Sequence, residues 1–307
     1  MMWLLYAFLS AALLGFYDVF KKLSLKQNAV IPVLFLNTLF CSLIFLPLMC
    51  GSAAGCIAEG ALAYIPPTTW QEQCYILLKA VIVLSSWLFG YFGIKHLPLT
   101  IVGPINATRP VMVLLGALLV FGERLNLYQW IGVLLAVASF YMLSRSGRRE
   151  GIDFRHNKWI FFVVMASVLG AVSGLYDKYL MAQPDNGGVG LQRMVVQSYY
   201  NLYQCGLMAM MLCLLWWPKR KQNTPFRWHW SIVLISLFLT AADFVYFYAL
   251  SLPGAMISIV SMVRRGSVLV SFVFGALVFR EKNLWSKALD LALVLLGMLF
   301  LYWGTQA

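Results

Sequence analysis

Seven ionisable side chains interrupt long apolar stretches of this sequence. They are Asp18, Arg109, Asp177, Asp243, Arg264, Arg265 and Asp290. A charge at the centre of an apolar layer costs about 2.5–3.5 kcal/mol even on insertion scales, so such residues persist where they face a cavity or a partner. Guanidinium groups bind carboxylates and phosphates through paired hydrogen bonds, and buried carboxyls can exchange protons near neutral pH. These residue types predict a route lined with groups that bind a small polar solute.

Arg109 lies in the segment with the most unusual backbone chemistry. Pro104 and Pro110 enclose both Asn106 and Arg109, and each proline removes a helical hydrogen bond and leaves a carbonyl oxygen unpaired. Irregular backbone at membrane depth is tolerated where it lines a cavity or is buried in protein. We therefore expect Asn106 and Arg109 to bind the solute.

A structural ion pair is an equally good interpretation of Arg109, with Asp243 or Asp290 as its partner. Both interpretations stay open, because a solute can displace a partner. Arg264 and Arg265 are adjacent and would point about 100° apart on a helix, so at most one is expected to face the cavity directly. The other is expected to pair with an acid or to reach the membrane surface. Which of the two corresponds to Arg109 also stays open.

Three aspartates are candidates for gating or for proton coupling. Asp18 and Asp177 each lie beside lysines near the end of a predicted span, which favours ion pairs at a gate over coupling carboxyls. Asp243 lies deep in an apolar segment, with Tyr246 about one turn away. We expect Asp243 and Tyr246 to contact the solute, and Asp243 to exchange the coupling proton.

A polar stripe and an aromatic pair complete the candidate site. Gln197, Tyr200 and Asn201 recur at helical spacing, and they must face the interior because such a stripe is unfavourable against lipid. The stripe is expected to line the cavity, although hydrogen bonds between helices would also explain it. Trp87 and Tyr91 lie one turn apart and are interpreted as solute contacts or as packing residues.

The composition determines the class of protein. Of the 307 residues, 62% are hydrophobic and 11% are charged, and the mean hydropathy is +0.80, whereas soluble domains are about 45–50% apolar and ~25% charged. Long uncharged segments reach the ~20 residues that a helix needs to cross a bilayer, where a backbone without water must bond to itself. His96, His156 and His229 form no cluster in the sequence, and no phosphate-binding loop is present. We therefore expect no cofactor and no metal.

Apolar segments of sufficient length predict an all-α membrane protein with ten transmembrane helices. The predicted spans are residues 3–20, 30–50, 75–94, 99–121, 127–144, 158–181, 193–217, 229–251, 254–279 and 284–304. Tryptophans lie near many of the span ends, as expected for amphipathic rings that prefer the level of the lipid headgroups.

The net charge of +12 is distributed unevenly across these spans. Most of the 23 lysines and arginines fall in loops on one side, whereas Lys79, Arg124, Lys178 and Arg193 fall on the other. Positive loops stay cytoplasmic, so both termini are predicted to be extracytoplasmic. The pattern indicates membrane insertion rather than nucleic-acid binding, and we expect a multi-pass protein of the plasma (inner) membrane.

Features of the first half recur in the same order in the second half. Gly15–Asp18 resembles Gly174–Asp177, and five spans in each half would place the second half in the opposite orientation. Such inverted-topology five-helix repeats are a common plan of transporters. The predicted boundaries are 1–145 for the first repeat, 146–157 for a basic connector and 158–307 for the second repeat.

Several short motifs have the order found in a known family. They are Pro104, Asn106, Arg109-Pro110, Phe121-Gly122-Glu123-Arg124-Leu125, Gln129-Trp130-Ile131-Gly132 and Phe279-Arg280-Glu281-Lys282. The sequence resembles the drug/metabolite transporter superfamily, specifically its EamA-type ten-helix branch. The resemblance implies a helical bundle that carries small organic molecules, with a cavity formed mainly by spans one, three, four, six, eight and nine and with spans five and ten at the periphery. Members of this branch commonly have both termini in the cytoplasm, opposite to the orientation that the charges predict.

Together, the residues and the resemblance predict a secondary transporter that is not an enzyme. We expect an exporter or exchanger of a small organic metabolite, amino-acid-like or anionic, that works by alternating access. Its expected partners are the solute, the lipid bilayer and a coupled proton or ion, with a homodimer as a further arrangement. The alternatives are an intramembrane enzyme that modifies lipids, which a bound metal would favour, and a membrane sensor, which ligand binding without flux would favour.

Overall fold

The computed structural model describes residues 2–112, 115, 126–148, 154–181, 184, 188–221, 224–251, 260, 263–279, 281 and 284–306. The regular secondary structure of these residues is helical, which confirms the all-α prediction. The helices with defined bounds are α1 Met2–Leu25, α2 Val30–Ala53, α3 Trp70–His96, α4 Leu99–Ala107, α5 Leu127–Arg148, α6 Lys158–Met181, α7 Arg193–Met211, α8 Ser231–Ser251, α9 Ser267–Leu277 and α10 Leu284–Gln306. A π-helix, Leu212–Trp216, continues α7. Residues 121–125, 149–153, 280 and 282, which carry parts of the predicted motifs and connector, lie outside the described residues.

Six of these helices are long and apolar enough to cross a membrane. Their apolar segments are Met2–Leu25, Val30–Ala53, Trp70–His96, Leu127–Arg145, Lys158–Met181 and Leu284–Gly304. A seventh helix, α8, contains a shorter apolar segment, Ser231–Tyr246. The chain is therefore a multi-pass membrane protein, as its composition predicts. α7 is less apolar because its first half carries the polar stripe with Gln197 and Asn201. The count of ten spans stays a prediction.

Two predicted spans are interrupted close to their arginines. α4 ends at Ala107, a turn follows at Thr108, and residues 109–112 are helical again. In the second half, a turn at Gly266 separates the helical residues 263–265 from α9. The first break is the irregular backbone that the prolines around Arg109 predict. The second break has no proline beside it, and the sequence did not indicate it.

The helices pack in pairs that relate the two halves of the chain. α1 packs against α8 and α3 against α6, while α2 pairs with α7, α4 with α9 and α5 with α10. Replacing each helix by the one five positions away returns the same set of pairs. This pattern is expected for two equivalent five-helix units, and the inverted orientation of the second unit stays a prediction.

Glycines allow two of these pairs to approach closely. A Cβ on Gly132 of α5 would lie 2.8 Å from the carbonyl oxygen of Gly297 in α10, and a Cβ on Gly103 of α4 would lie 2.8 Å from Val268 Cγ1 in α9. Lipid tails are as apolar as the side chains, so close packing of small residues, rather than the hydrophobic effect, brings membrane helices together. α10 is therefore packed tightly onto α5, and it also contacts α4.

Candidate functional site

The break after α4 places Arg109 against α6. Its Nη2 donates to Asn106 Oδ1 at 3.4 Å, and Ser167 Oγ of α6 donates to the same oxygen at 3.1 Å. The guanidinium lies directly on Gly170, where a Cβ would come within 2.8 Å of Arg109 Cζ and 2.9 Å of Nη1. The predicted site residues Asn106 and Arg109 are therefore together, and Gly170 leaves the space that the guanidinium occupies.

Arg109 forms no ion pair within the described part of the chain. Its Nε is buried without a hydrogen bond, and Asp18 is the carboxylate that acts on it electrostatically. Neither of the ion pairs considered for it from the sequence is formed. Asp243 is bound to Arg264, and both carboxylate oxygens of Asp290 lack hydrogen bonds. Arg109 thus keeps unused hydrogen-bonding capacity in the protein interior.

Arg264 and Arg265 have different surroundings. Arg264 forms an ion pair with Asp243, and its Cζ lies 4.3 Å from the centroid of the Tyr246 ring. Arg265 makes no hydrogen bond or ion pair with the residues that the structure describes, but the charges of Arg109 and Arg264 act on it. The two side chains diverge, as adjacent helical positions predict, and one of them pairs with an acid.

Asp18 forms an ion pair of 2.8 Å with Lys21 inside α1. Lys21 Nζ also lies 4.2 Å from the centroid of the Tyr17 ring and 5.2 Å from that of Tyr91 in α3. The Lys21 side chain is only 8% exposed, so the pair lies within the bundle rather than in water. Asp18 therefore supplies negative charge beside Arg109 while it is itself compensated by Lys21.

Asp177 of α6 forms an ion pair with Lys79 of α3. Lys79 Nζ lies 5.1 Å from the centroid of the Tyr200 ring, so the pair connects α3, α6 and α7. The sequence suggested the neighbouring Lys178 as the partner and grouped Lys79 with the loop charges. The available signal was that Lys79 lies early in a long apolar segment, where a lysine needs a partner.

The polar stripe of α7 faces the interior, as predicted. Gln197, Tyr200 and Asn201 are 2%, 8% and 3% exposed. Asn201 Nδ2 donates to the carbonyl oxygen of Gln197 at 2.8 Å, whereas Gln197 Oε1 is buried without a hydrogen bond. Gln197 also borders a small surface cleft, which is lined by Leu62, Arg193, Met194, Gln197, Phe244 and Tyr248. Gln197 Oε1 is therefore an acceptor left for a ligand.

The aromatic pair in α3 belongs mainly to the packed core. Tyr91 is 1% exposed, and Trp87 packs against the same core cluster. Tyr91 borders the charged residues through Lys21, so it is close to the candidate site. For Trp87 these contacts favour the packing interpretation.

The charges around Arg109 define a central cluster, which consists of Asp18, Lys21, Arg109, Asp243, Arg264 and Arg265. Four cations face two carboxylates, so the cluster carries an excess of positive charge. Charges interact more strongly in a low-dielectric interior than in water, and an excess of cations there favours an anionic ligand. Within the described ranges, no three His, Cys, Asp or Glu side chains are grouped to hold a metal ion.

Comparisons with known proteins relate nearly the whole chain to one family. The model of the EamA-like transporter family matches residues 1–145 and 157–303. An uncharacterized transporter of a Sinorhizobium species, from the region 3′ of cobO, is 30% identical over 146 residues, which are 46% of this chain and 96% of that protein. An uncharacterized transporter of Archaeoglobus fulgidus is 24% identical over 169 residues, which are 54% of this chain and 55% of that protein.

A protein of known crystal structure has the same fold. It superposes with a TM-score of 0.62 and 14% sequence identity, covering 97% of this chain and 96% of its own. At this identity the likeness concerns the fold alone. The family model, in contrast, matches nearly all of the chain in two stretches. The chain therefore belongs to the EamA-like transporter family.

Proposed function

We propose that this protein is a secondary transporter, an exporter or exchanger, that moves a small organic anion or an amino-acid-like zwitterion by alternating access. The observation that carries the proposal is the pair of guanidinium groups of Arg109 and Arg265, which have no ion-pair partner in the described residues. Both belong to the central cluster, where cations outnumber carboxylates.

The energetics of burial favour an anionic ligand at these arginines. Removing an ion from water costs several kcal/mol even after the protein relaxes. A carboxylate that accepts paired hydrogen bonds from a guanidinium recovers part of this cost, and the planar geometry gives specificity. In a zwitterion, the ammonium group would lie towards Asp243 and the unpaired Gln197 Oε1. These contacts support a solute with an acidic group and favour, but do not require, a basic group.

The two unpaired arginines come from different halves of the chain. Arg109 follows α4 and Arg265 precedes α9, and the charge of Arg109 acts unfavourably on that of Arg265. Their repulsion favours separation of the halves, whereas an anion between them would favour closure. A ligand shifts a conformational equilibrium only by binding one state better than the other. An anion that bridges the halves meets this condition, and inverted repeats would provide the two states.

The two ends of the bundle differ in closure. Where α3 ends and α4 begins, Lys22 Nζ donates to the carbonyl oxygen of Ile94 at 2.6 Å and to that of Leu97. The cleft beside Gln197 lies towards the opposite end, because Tyr248 near the end of α8 borders it. We assign this arrangement to a stage of the cycle in which the end held by Lys22 is closed. With both termini extracytoplasmic, as the loop charges predict, the end closed by Lys22 faces the cytoplasm.

The surface of the bundle fits a lipid environment. Large apolar side chains such as Leu5, Leu134 and Trp285 are 70%, 64% and 83% exposed, which is unfavourable in water. We assign the protein to the plasma (inner) membrane on the basis of this surface and the loop charges. A homodimer would use part of the same surface, and a coupled proton or ion would supply the driving force.

Uptake by purified protein in proteoliposomes tests the proposed function, with radiolabelled amino acids and organic acids as probes. We expect a subset of the probes that carry a carboxylate to be transported. Arg109→Ala should lower their uptake at least about tenfold, since a hydrogen bond to a charged group contributes about 1.5–3 kcal/mol. Arg145→Ala, at an exposed position of α5, is the matched control and should keep normal uptake.

Two outcomes would refute the proposal in different ways. Equal transport of every probe by the wild type and by Arg109→Ala would refute the arginine site. Flux of none of the probes, from protein that is folded and correctly inserted, would refute transport of this class of solute.

A further inference from the structure

A second buried network of charged side chains lies outside the central cluster, where α10 packs against α4. Glu281 accepts hydrogen bonds from the backbone N–H of Leu99 at 2.7 Å, from that of Thr100 at 2.9 Å and from Thr100 Oγ1. Lys287 Nζ of α10 donates to the same Thr100 Oγ1 at 2.9 Å. These contacts hold the first turn of α4, the helix that leads directly to Arg109.

Asp290 lies one turn beyond Lys287 in α10 and is fully enclosed. Its side chain is 0% exposed, and neither carboxylate oxygen has a hydrogen-bond partner. An ionised carboxylate without partners costs several kcal/mol to bury, whereas a neutral carboxylic acid costs much less. The other aspartates of the described helices have ion-pair partners, and these aspartates are Asp18, Asp177 and Asp243.

Among the residues that the structure describes, few charged groups face Asp290 from the helices packed against α10. α4 contains no titratable side chain. The titratable side chains of α5 whose positions are described are exposed, whereas Asp290 is buried, and they are Tyr128, Tyr141 and Arg145. On its own helix Lys287 acts on Asp290 electrostatically, and Glu281 belongs to the network through Thr100. Lys287 is therefore the charged group most directly coupled to the state of Asp290.

We propose that Asp290 is the site at which the protein binds its coupled proton, and that Lys287 transmits the protonation state to α4. The inference rests on the proposed function, because coupling requires a transport cycle. With the proton bound, Asp290 is a neutral acid and Lys287 donates to Thr100, as in this structure. The first turn of α4 is then held by both Lys287 and Glu281.

When Asp290 loses its proton to water, Lys287 is expected to leave Thr100 for Asp290. The Asp290 carboxylate attracts the Lys287 ammonium group across one helical turn, the spacing at which opposite charges on a helix meet. Thr100 then loses the Lys287 hydrogen bond, and α4 is held less firmly against α10. Because Arg109 follows α4, the proton at Asp290 and the anion at Arg109 act on the same element, which is the physical basis of coupling between two sites.

Infrared difference spectroscopy on purified protein, between acid and alkaline buffer and without solute, tests the proton site itself. We expect the wild type to show the carbonyl band of a protonated carboxyl group that disappears on deprotonation, and Asp290→Asn to lack it. Glu59→Gln, which changes an exposed carboxylate in the loop before α3, is the matched control and should keep the band. A band that persists unchanged in Asp290→Asn would overturn the assignment.

Transport driven by an imposed pH gradient tests the coupling, with the radiolabelled amino acids and organic acids as probes. We expect a gradient to stimulate wild-type flux severalfold, and we expect Asp290→Asn and Lys287→Met to lose this stimulation while Glu59→Gln keeps it. Stimulation retained in Asp290→Asn would overturn coupling through this residue. Since the infrared measurement needs no solute, a failed proton site is distinguished from a failed transport proposal.

A second substitution covers the case in which Asp290→Asn does not assemble. Asp290→Glu keeps an acid at the same position but moves its carboxyl group by one methylene. The infrared band should then shift in frequency, because its surroundings change. A band at the wild-type frequency in Asp290→Glu would show that another carboxyl group holds the proton, and this would overturn the proposal.

Discussion

Substitution of Gly170 by alanine is the most direct test of how Arg109 is positioned. An added Cβ would lie 2.8 Å from Arg109 Cζ, whereas carbon atoms in ordinary contact are about 3.5–4.0 Å apart. The guanidinium must therefore move by roughly 0.7 Å or more. It is the far end of a flexible side chain, so it can move without unfolding α6, but it then leaves its position beside Asn106.

The size of the effect follows from the displacement. A misplacement of about 1 Å costs on the order of 100-fold in well-positioned sites. For Gly170→Ala we expect a loss of about 10- to 100-fold in uptake at low solute concentration, mainly through weaker solute binding. Stability should not fall, because alanine in a helix interior is favoured over glycine by about 1 kcal/mol.

Gly174 supplies a matched control in the same helix. A Cβ at Gly174 meets no atom within 4 Å, so Gly174→Ala should gain the same helix propensity and keep normal uptake. Uptake in proteoliposomes and thermal unfolding in detergent are measured for both variants. Equal uptake by Gly170→Ala and Gly174→Ala would refute the positioning argument. If Gly170 acts only through Arg109, the double variant Arg109→Ala/Gly170→Ala should lose no more uptake than Arg109→Ala alone, so additive losses would also refute it.

Two stability predictions follow from the buried contacts of the helices. Asp243→Asn leaves the Arg264 guanidinium uncompensated, so we expect the free energy of unfolding in denaturant to fall by about 2 kcal/mol or more. The double variant Asp243→Asn/Arg264→Gln should recover part of this loss, and an equal loss in both variants would contradict the ion-pair explanation. Glu281→Gln keeps the size of the side chain but removes its charge from the N–H groups that begin α4, so we expect a loss of about 1 kcal/mol. Glu72→Gln at the capping box of α3 is the comparison for that change, and a Glu281→Gln variant as stable as the wild type would contradict the capping role.

Helix positions were largely predictable because they depend on local sequence. The apolar lengths predicted the spans, but the helices extend beyond them where polar side chains find partners. α3 begins at Trp70, before the predicted start at residue 75, because the capping box of Thr69 and Glu72 satisfies the first N–H groups. α1 continues past residue 20 because Lys21 pairs with Asp18. Hydropathy marks the part of a helix in the membrane, whereas caps and ion pairs mark its ends.

The partners of the buried charges were not predictable from one sequence. Asp177 was expected to pair locally but meets Lys79 of another helix, and nothing in the sequence related Gly170 to Arg109. Such contacts depend on where two helices cross, and crossings are determined by small residues that permit close approach. The positions of charges along each helix were therefore known in advance, while their distances across helices were not.

Helix pairing and charge placement follow different symmetries in this protein. The pairs of helices are unchanged when the halves are exchanged, yet Arg264 is compensated by Asp243 while Arg109 has no comparable partner among the described residues. A symmetric framework gives two conformations of similar energy, and a difference of about 1–3 kcal/mol then shifts their populations by roughly 5- to 150-fold. In the proposed cycle, an anion at Arg109 and a proton at Asp290 would each have to supply a difference of this order, and both would act on α4. In this proposal, equivalent packing of the halves would make the two states accessible, and unequal charge would let a ligand bind one state more tightly than the other.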